Sequence, residues 1–276
     1  MISYDDALQR LDPHFKAVLE KIPKKGFERL PPDWLHWQIL ERFAVLKYAN
    51  IVEGFNILEV GSGPHAIATI ALAALVGERG RVVAVERGRW GDFWGVLKQS
   101  GLSSRVIPLQ EDASKLPFPF SCFDLVVCVH GIRSFDNRES IVSAVKEMFR
   151  VSKDRIFLAE SSPFAKNKAQ EAHLAMYNLR RPTFLALGRA DWGDLRYFPP
   201  EELRNIAIEA GASKVKLNEV DVDMPHHLAC FPSDLILKIE DKAIRDNLME
   251  RWKDALAMLD RYGEEHPPVI VLEAWK

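Results

Sequence analysis

Ile57-Leu-Glu-Val-Gly-Ser-Gly-Pro-His65 is the stretch that decides how this chain folds. Residues 56–60 read as a short apolar strand. The two glycines after it let the backbone turn sharply and approach a ligand as no residue with a Cβ can. Residues 66–76 then predict a helix, with Gly77 at its end. Pro64 suits the first turn of that helix, where a missing N–H costs nothing. A strand that turns through glycine into a helix aims free N–H groups at whatever lies above the turn.

Working outward, strands and helices alternate. Residues 81–86, 105–109, 123–129 and 154–159 read as strands, with 125–129 wholly apolar. Residues 90–100, closed by Gly101, and 140–151 read as helices. Strands joined by helical crossovers predict an α/β fold with a doubly wound, mostly parallel sheet.

Before this core, residues 1–52 predict a helical cap. Leu8, Leu11, Phe15, Val18 and Leu19 form one stripe at helical spacing, and residues 34–48 a second helix rich in large apolar side chains. After the core at 53–163, residues 164–276 are expected to complete the sheet. They hold a helix at 166–179, one opened by Pro199 and Pro200 and ended at Gly211, strands at 214–222 and 269–274, and a long helical insertion between those strands.

A net charge of −2 over 276 residues excludes a polyanion binder of the whole-surface kind. The charge is uneven: residues 161–197 carry +3 and residues 198–276 carry −6. Cys122, Cys128 and Cys230 fit neither a zinc pattern nor a disulfide framework, so no metal is expected and a reducing, cytoplasmic setting is. The N-terminus lacks the pattern of a signal peptide, and the apolar run at 66–76 is too short to span a bilayer.

Glu86 stands 23 residues after Gly63, at the end of the second strand, with Arg87 beside it. A carboxylate there can accept from both hydroxyls of a ribose. Two cofactors compete for such a site, because Gly61-Ser-Gly63-Pro-His-Ala66 also satisfies a dinucleotide fingerprint. Glu59 argues against a nicotinamide, since it is placed to take a charged amine near a sulfonium. Glu111-Asp112 argues the same way, since an acidic side chain after the third strand can accept from an adenine amino group.

The longer motifs are more specific. Leu116-Pro-Phe-Pro-Phe-Ser-Cys-Phe-Asp-Leu-Val-Val-Cys128, His130-Gly-Ile-Arg-Ser-Phe135, Glu147-Met-Phe-Arg-Val-Ser-Lys153 and Leu158-Ala-Glu-Ser161 resemble segments of the class I S-adenosylmethionine-dependent methyltransferases. Within them, the chain is most similar to the quinone-biosynthesis C-methyltransferase branch. The likeness covers residues 55–163, with a weaker echo at 199–222. It implies a seven-stranded Rossmann-like sheet with the last strand antiparallel, and S-adenosyl-L-methionine as cofactor. By the same resemblance Glu59, Gly61, Ser62 and Gly63 hold the methionine and ribose portion, Glu86 the ribose hydroxyls, and Asp112 and Ala113 the adenine. His130 lines the space near the methyl group. His65 stands where the family has a third glycine, and Lys153-Asp154 replaces a longer turn.

Methyl transfer needs alignment and desolvation more than a catalytic triad. The candidates for a base near the strand ends are His130 and Glu160, with Asp136 as a further possibility or as a helix cap. Acceptor-side residues are expected in the flanking segments: Trp34, Trp37, Arg133, Tyr177, Arg180 and Arg181, with Phe27, Phe43, Phe184, Trp192 and Tyr197 adding aromatic surface. These fit a planar or aromatic small molecule. The basic residues Lys166, Lys168, Arg180, Arg181, Arg189 and Arg196 among aromatics leave open an RNA base as acceptor. A cofactor-binding regulator without catalysis is the third reading.

Overall fold

The structure is a computed structural model, and it describes residues 4–24, 33–88, 90–189, 197–222, 231 and 233–276. Seven strands form one sheet in the order β3-β2-β1-β4-β5-β7-β6: β1 Asn56–Val60, β2 Arg81–Glu86, β3 Val106–Gln110, β4 Leu125–Val129, β5 Arg155–Ser161, β6 Lys214–Val220 and β7 Val269–Trp275. β1 to β5 pair in parallel; β7 runs antiparallel between β5 and β6. The wholly apolar β4 lies at the centre, and all five of its residues are buried. After β3 the chain returns past β1 to lay β4 on the opposite side. β1 and β4 therefore flank the point where the strand order reverses, and ligands of open α/β sheets bind outside the carboxyl ends of such strands.

Helices cover both faces. α1 (Tyr4–Gln9), α2 (Pro13–Lys21) and α3 (Trp34–Leu46) pack with α4 (Ile67–Leu75) and α5 (Phe93–Ser100) in one apolar cluster with the inner face of the sheet. α6 (Arg138–Val151) and α9 (Pro200–Glu209) cover the other face. α7 (Lys168–Tyr177), α8 (Arg180–Ala186), the single turn α10 (Ser233–Ile236) and α11 (Lys242–Tyr262) share a third, smaller cluster around Leu179, Phe231, Ile236 and Leu248.

Three boundaries differ from the sequence reading. The N-terminal stripe is two helices, because Asp12 precedes proline and is driven out of the helical region; its side chain accepts from the His14 N–H and Pro13 opens α2. The helix expected at 166–179 is α7, and the chain turns at Asn178 and Leu179 into α8. Asn137, not Asp136, caps α6: its side chain accepts from the Ser140 N–H while Ser140 Oγ takes the Asn137 N–H. No helix among the described residues is long and apolar enough to cross a membrane.

Candidate active site

A cleft of about 320 Å³ opens at the carboxyl ends of β1, β2 and β4. Its floor is the turn after β1. Gly61 and Gly63 have φ of +76° and +68°, a region that costs a side-chain-bearing residue strain. The Gly61 and Ser62 N–H groups donate to the Val85 carbonyl at 2.9 and 3.2 Å, which ties the turn to β2. Gly131, at the end of β4, lies directly behind it. A Cβ on Gly61 would stand 3.3 Å from the Gly131 Cα, and one on Gly131 would meet Cys128 Sγ at 2.6 Å. The two strand ends close on each other only as bare backbone.

Glu86 and Asp112 both line the cleft. Glu86 accepts from the Gly63 N–H at 3.1 Å and the Arg87 N–H at 2.9 Å, so the carboxylate is aimed by backbone rather than by another side chain. Asp112 is oriented by Ser114, whose N–H and hydroxyl donate to it at 2.8 and 2.7 Å; these bonds hold its carboxyl below the usual range. Ala113, Arg87, His130, Ser134, Phe135 and Asp136 complete the lining. Arg87 and Asp136 stand 3.8 Å apart, both largely exposed.

This cleft fits S-adenosylmethionine on its own geometry. The space where a Cβ of Gly63 would point is open, which leaves room for a ligand beside a carboxylate that the Gly63 N–H orients and that suits a diol. A second, ionised carboxylate beside Ala113 suits an adenine amino group.

Two residues expected in the cofactor set lie beneath the turn, outside the cleft lining. Ser62 is buried, and its hydroxyl has no hydrogen-bond partner. Glu59 is buried against α4, where Oε2 accepts from the Thr69 hydroxyl at 2.6 Å and Oε1 has no partner. Burial pushes its carboxyl up to about 7, opposed by Thr69 and the nearby Arg42 guanidinium.

The wall expected on the acceptor side is a largely buried network of polar and aromatic side chains from distant parts of the chain. His130, at φ +54° just after β4, is held from two sides. Its Nε2 lies 2.7 Å from Glu41 Oε1 of α3, and the Arg133 Nη2–H donates to its Nδ1. Arg133 Nε donates to Glu160 Oε2 at 2.7 Å and Nη2 to the Ser161 hydroxyl at 3.2 Å. Burial opposes the charge of Arg133, but Glu160 keeps its pKa above the ordinary guanidinium value. Glu160 is fully buried at the end of β5 and off the cleft lining, the geometry of a structural ion pair. The Arg133 guanidinium sits 5.6 Å over the Tyr197 ring, Tyr197 stacks on Tyr177 at 4.5 Å, and Arg180 covers Tyr177 at 5.1 Å. His173 stacks beyond Tyr177, lies 3.0 Å from Glu264, and is pushed down to about 3 by burial, with Arg180 adding to the effect.

The other acceptor-side residues scatter. Trp34 packs edge-on against His65 at 5.8 Å, so the residue that replaces the family's third glycine is a contact between the donor turn and the cap. Trp37 is buried within the cap, donating to Asp33 at 3.1 Å and meeting Tyr4 edge-on. Arg181 is exposed. Phe27, Trp192, Arg196 and Cys230 lie outside the described residues. Glu41 and Gly131 were missed by sequence reasoning. A Glu41-Arg42 pair inside the otherwise apolar Trp34–Leu46 helix was the available signal for Glu41, since buried charges need partners. Gly131 stood within the His130-Gly-Ile-Arg-Ser-Phe135 motif, which was the available signal for it.

Residues 58–158 match the family model described as a methyltransferase domain. Over 190 residues, 64% of this chain and 72% of the relative, the sequence is 28% identical to the ubiquinone/menaquinone biosynthesis C-methyltransferase UbiE of Pseudomonas aeruginosa. Among solved structures, the cyclopropane-fatty-acyl-phospholipid synthase-like protein of Lactobacillus casei superposes with a TM-score of 0.74 at 18% identity, covering 96% of this chain and 100% of that one. An S-adenosylmethionine-dependent methyltransferase of Aquifex aeolicus superposes with a TM-score of 0.53 at 16% identity, covering 88% and 93%.

Proposed function

Because the chain is a class I S-adenosylmethionine-dependent methyltransferase, we propose that its acceptor is a small planar or aromatic molecule, methylated at the His130 wall of the cleft. When bound, the cofactor supplies a methyl group on a sulfonium that is already a good leaving group. The protein's part is to hold the donor and to exclude water. Glu86 and Asp112 anchor the nucleoside end, and the bare Gly61 to Gly63 turn takes the rest. The reacting end then faces His130.

The observation that carries the acceptor class is the burial of the aromatic surface. Tyr177 is 6% exposed and already stacked on Tyr197, so it offers no open platform to a nucleic-acid strand. Three of the six basic residues that favoured RNA also have partners within the chain. Lys166 pairs with Asp221 at 2.9 Å and Glu219 at 3.3 Å, Lys168 pairs with Glu171 at 2.7 Å, and Arg180 lies over Tyr177. The similarity to proteins named for ubiquinone and menaquinone biosynthesis supports a ring-bearing acceptor.

The test is incubation with S-adenosylmethionine labelled in its methyl group and a fractionated cell extract. Label is expected in the low-mass, solvent-extractable fraction and, with the cofactor held at or below its wild-type Kd, to fall at least several-fold with Glu86→Ala. Label confined to RNase-sensitive material would transfer the proposal to RNA. Cofactor binding with no labelled fraction at all would favour a regulatory protein.

A further inference from the structure

The hydrogen bonds around His130 leave one arrangement of its proton. Arg133 has only N–H donors, so the ring nitrogen it touches, Nδ1, must offer a lone pair. A neutral imidazole then carries its hydrogen on Nε2, and Nε2 lies 2.7 Å from Glu41 Oε1, a carboxylate oxygen that can accept it. Glu41 comes from α3, 89 residues away in sequence, and is 3% exposed. His130 lines the cleft, whereas Glu41 does not. A ring held from both nitrogens cannot take up a further proton without expelling Arg133 from Nδ1, and Arg133 is itself anchored by Glu160 and Ser161.

We propose that Glu41 is a positioning residue of the methyl-transfer site: from the N-terminal cap it holds His130 as the neutral Nε2–H imidazole that walls the cleft. This deepens the reading of His130 as the wall at the reacting end and rests on it. A cation is unwelcome beside a sulfonium, and the Arg133 N–H at Nδ1 opposes a second proton on this ring against the pull of Glu41 and of Glu160 Oε2, 3.7 Å from Nδ1. It also assigns His130 the role of a wall instead of a general base, so any proton lost by an acceptor must leave by another route. The cap thereby belongs to the active site, and α3 contributes through Glu41 what the sheet cannot.

The experiment is nitrogen-detected NMR of the full chain labelled with 15N-histidine, with His130→Asn used only to assign the signal. The expected spectrum from pH 6 to 8 shows His130 with an unprotonated Nδ1 and a protected Nε2–H. Glu41→Gln, whose amide oxygen can still accept, is expected to keep that pattern. Glu41→Ala is expected to speed exchange of the Nε2–H by roughly tenfold or more. A His130 protonated at Nδ1, or a Glu41→Ala spectrum identical to wild type in a folded protein, overturns the assignment. Addition of S-adenosylhomocysteine separates the two claims. If the His130 signal does not move while the ligand binds, the wall reading fails, whatever Glu41 does.

Discussion

The cleft proposed to hold the donor and the network proposed to face the acceptor meet at His130, yet they are built by different means. The donor side is made by backbone: two glycines at positive φ, carboxylates aimed by N–H groups, and strand ends that touch without side chains. It is open to solvent, so a ligand need not displace protein to enter. The acceptor side is made by side chains from α3, the residues just after β4, β5, α7, α8 and the segment at Tyr197, and those side chains pair and stack largely with one another. The difference assigns separate duties. An open backbone cradle can take the same cofactor in many relatives, while on the proposed reading a closed, charged wall would set what that cofactor's methyl can reach.

Removing the cradle is the hardest blow to this division. Gly61→Val puts a branched side chain where φ is +76° and a Cβ alone is 3.3 Å from Gly131. Titration calorimetry with S-adenosylhomocysteine is expected to show affinity lost by more than about 100-fold, since the strain is on the order of 1–3 kcal/mol and the new methyls obstruct the turn as well. Retained affinity would mean that backbone geometry is not what defines the donor side.

Glu59 sharpens the comparison because it lies where the two sides join. Its folded carboxyl is raised to about 7 from an ordinary 4.5, so the folded state binds more protons than the unfolded chain between those values. The stability this lends is full below pH 4.5 and is lost as pH rises towards 7. Glu59→Gln is expected to remove that loss, a change of up to roughly 3 kcal/mol over the window. Urea denaturation of both proteins at pH 5 and pH 7 checks it; parallel pH trends would contradict the buried, strained placement.

The smallest effect is expected at the rim. Arg181 is exposed, so Arg181→Ala should change methyl transfer by less than about twofold. A large loss with salt-dependent binding of RNA would reopen the nucleic-acid reading.

These two sides were unequally legible in the sequence for the same physical reason. Gly61, Gly63, Glu86 and Asp112 act where the chain itself places them, one step past a strand, and a strand-turn-helix pattern is a local signal. The Asp12-Pro13 break was equally local and was overridden by attention to the apolar stripe across it. Glu41 and Tyr197 acquire their roles only when distant elements pack, Glu41 across 89 residues, so no window of sequence contains the contact. His65 lay between these cases. It stood out as a departure from the family, but its reason, the edge-on contact with Trp34, needed α3 to be docked.

We propose that the cleft above the Gly61 to Gly63 turn is the donor site, with Glu86 as its principal anchor. Calorimetric titration of the wild type and Glu86→Ala with S-adenosylhomocysteine tests it most directly. Loss of hydrogen bonds to a charged acceptor costs about 1.5–3 kcal/mol, so one-to-one binding by the wild type and a roughly 10- to 100-fold weaker Glu86→Ala are predicted. No binding by the wild type, or equal binding by the two proteins, would contradict it.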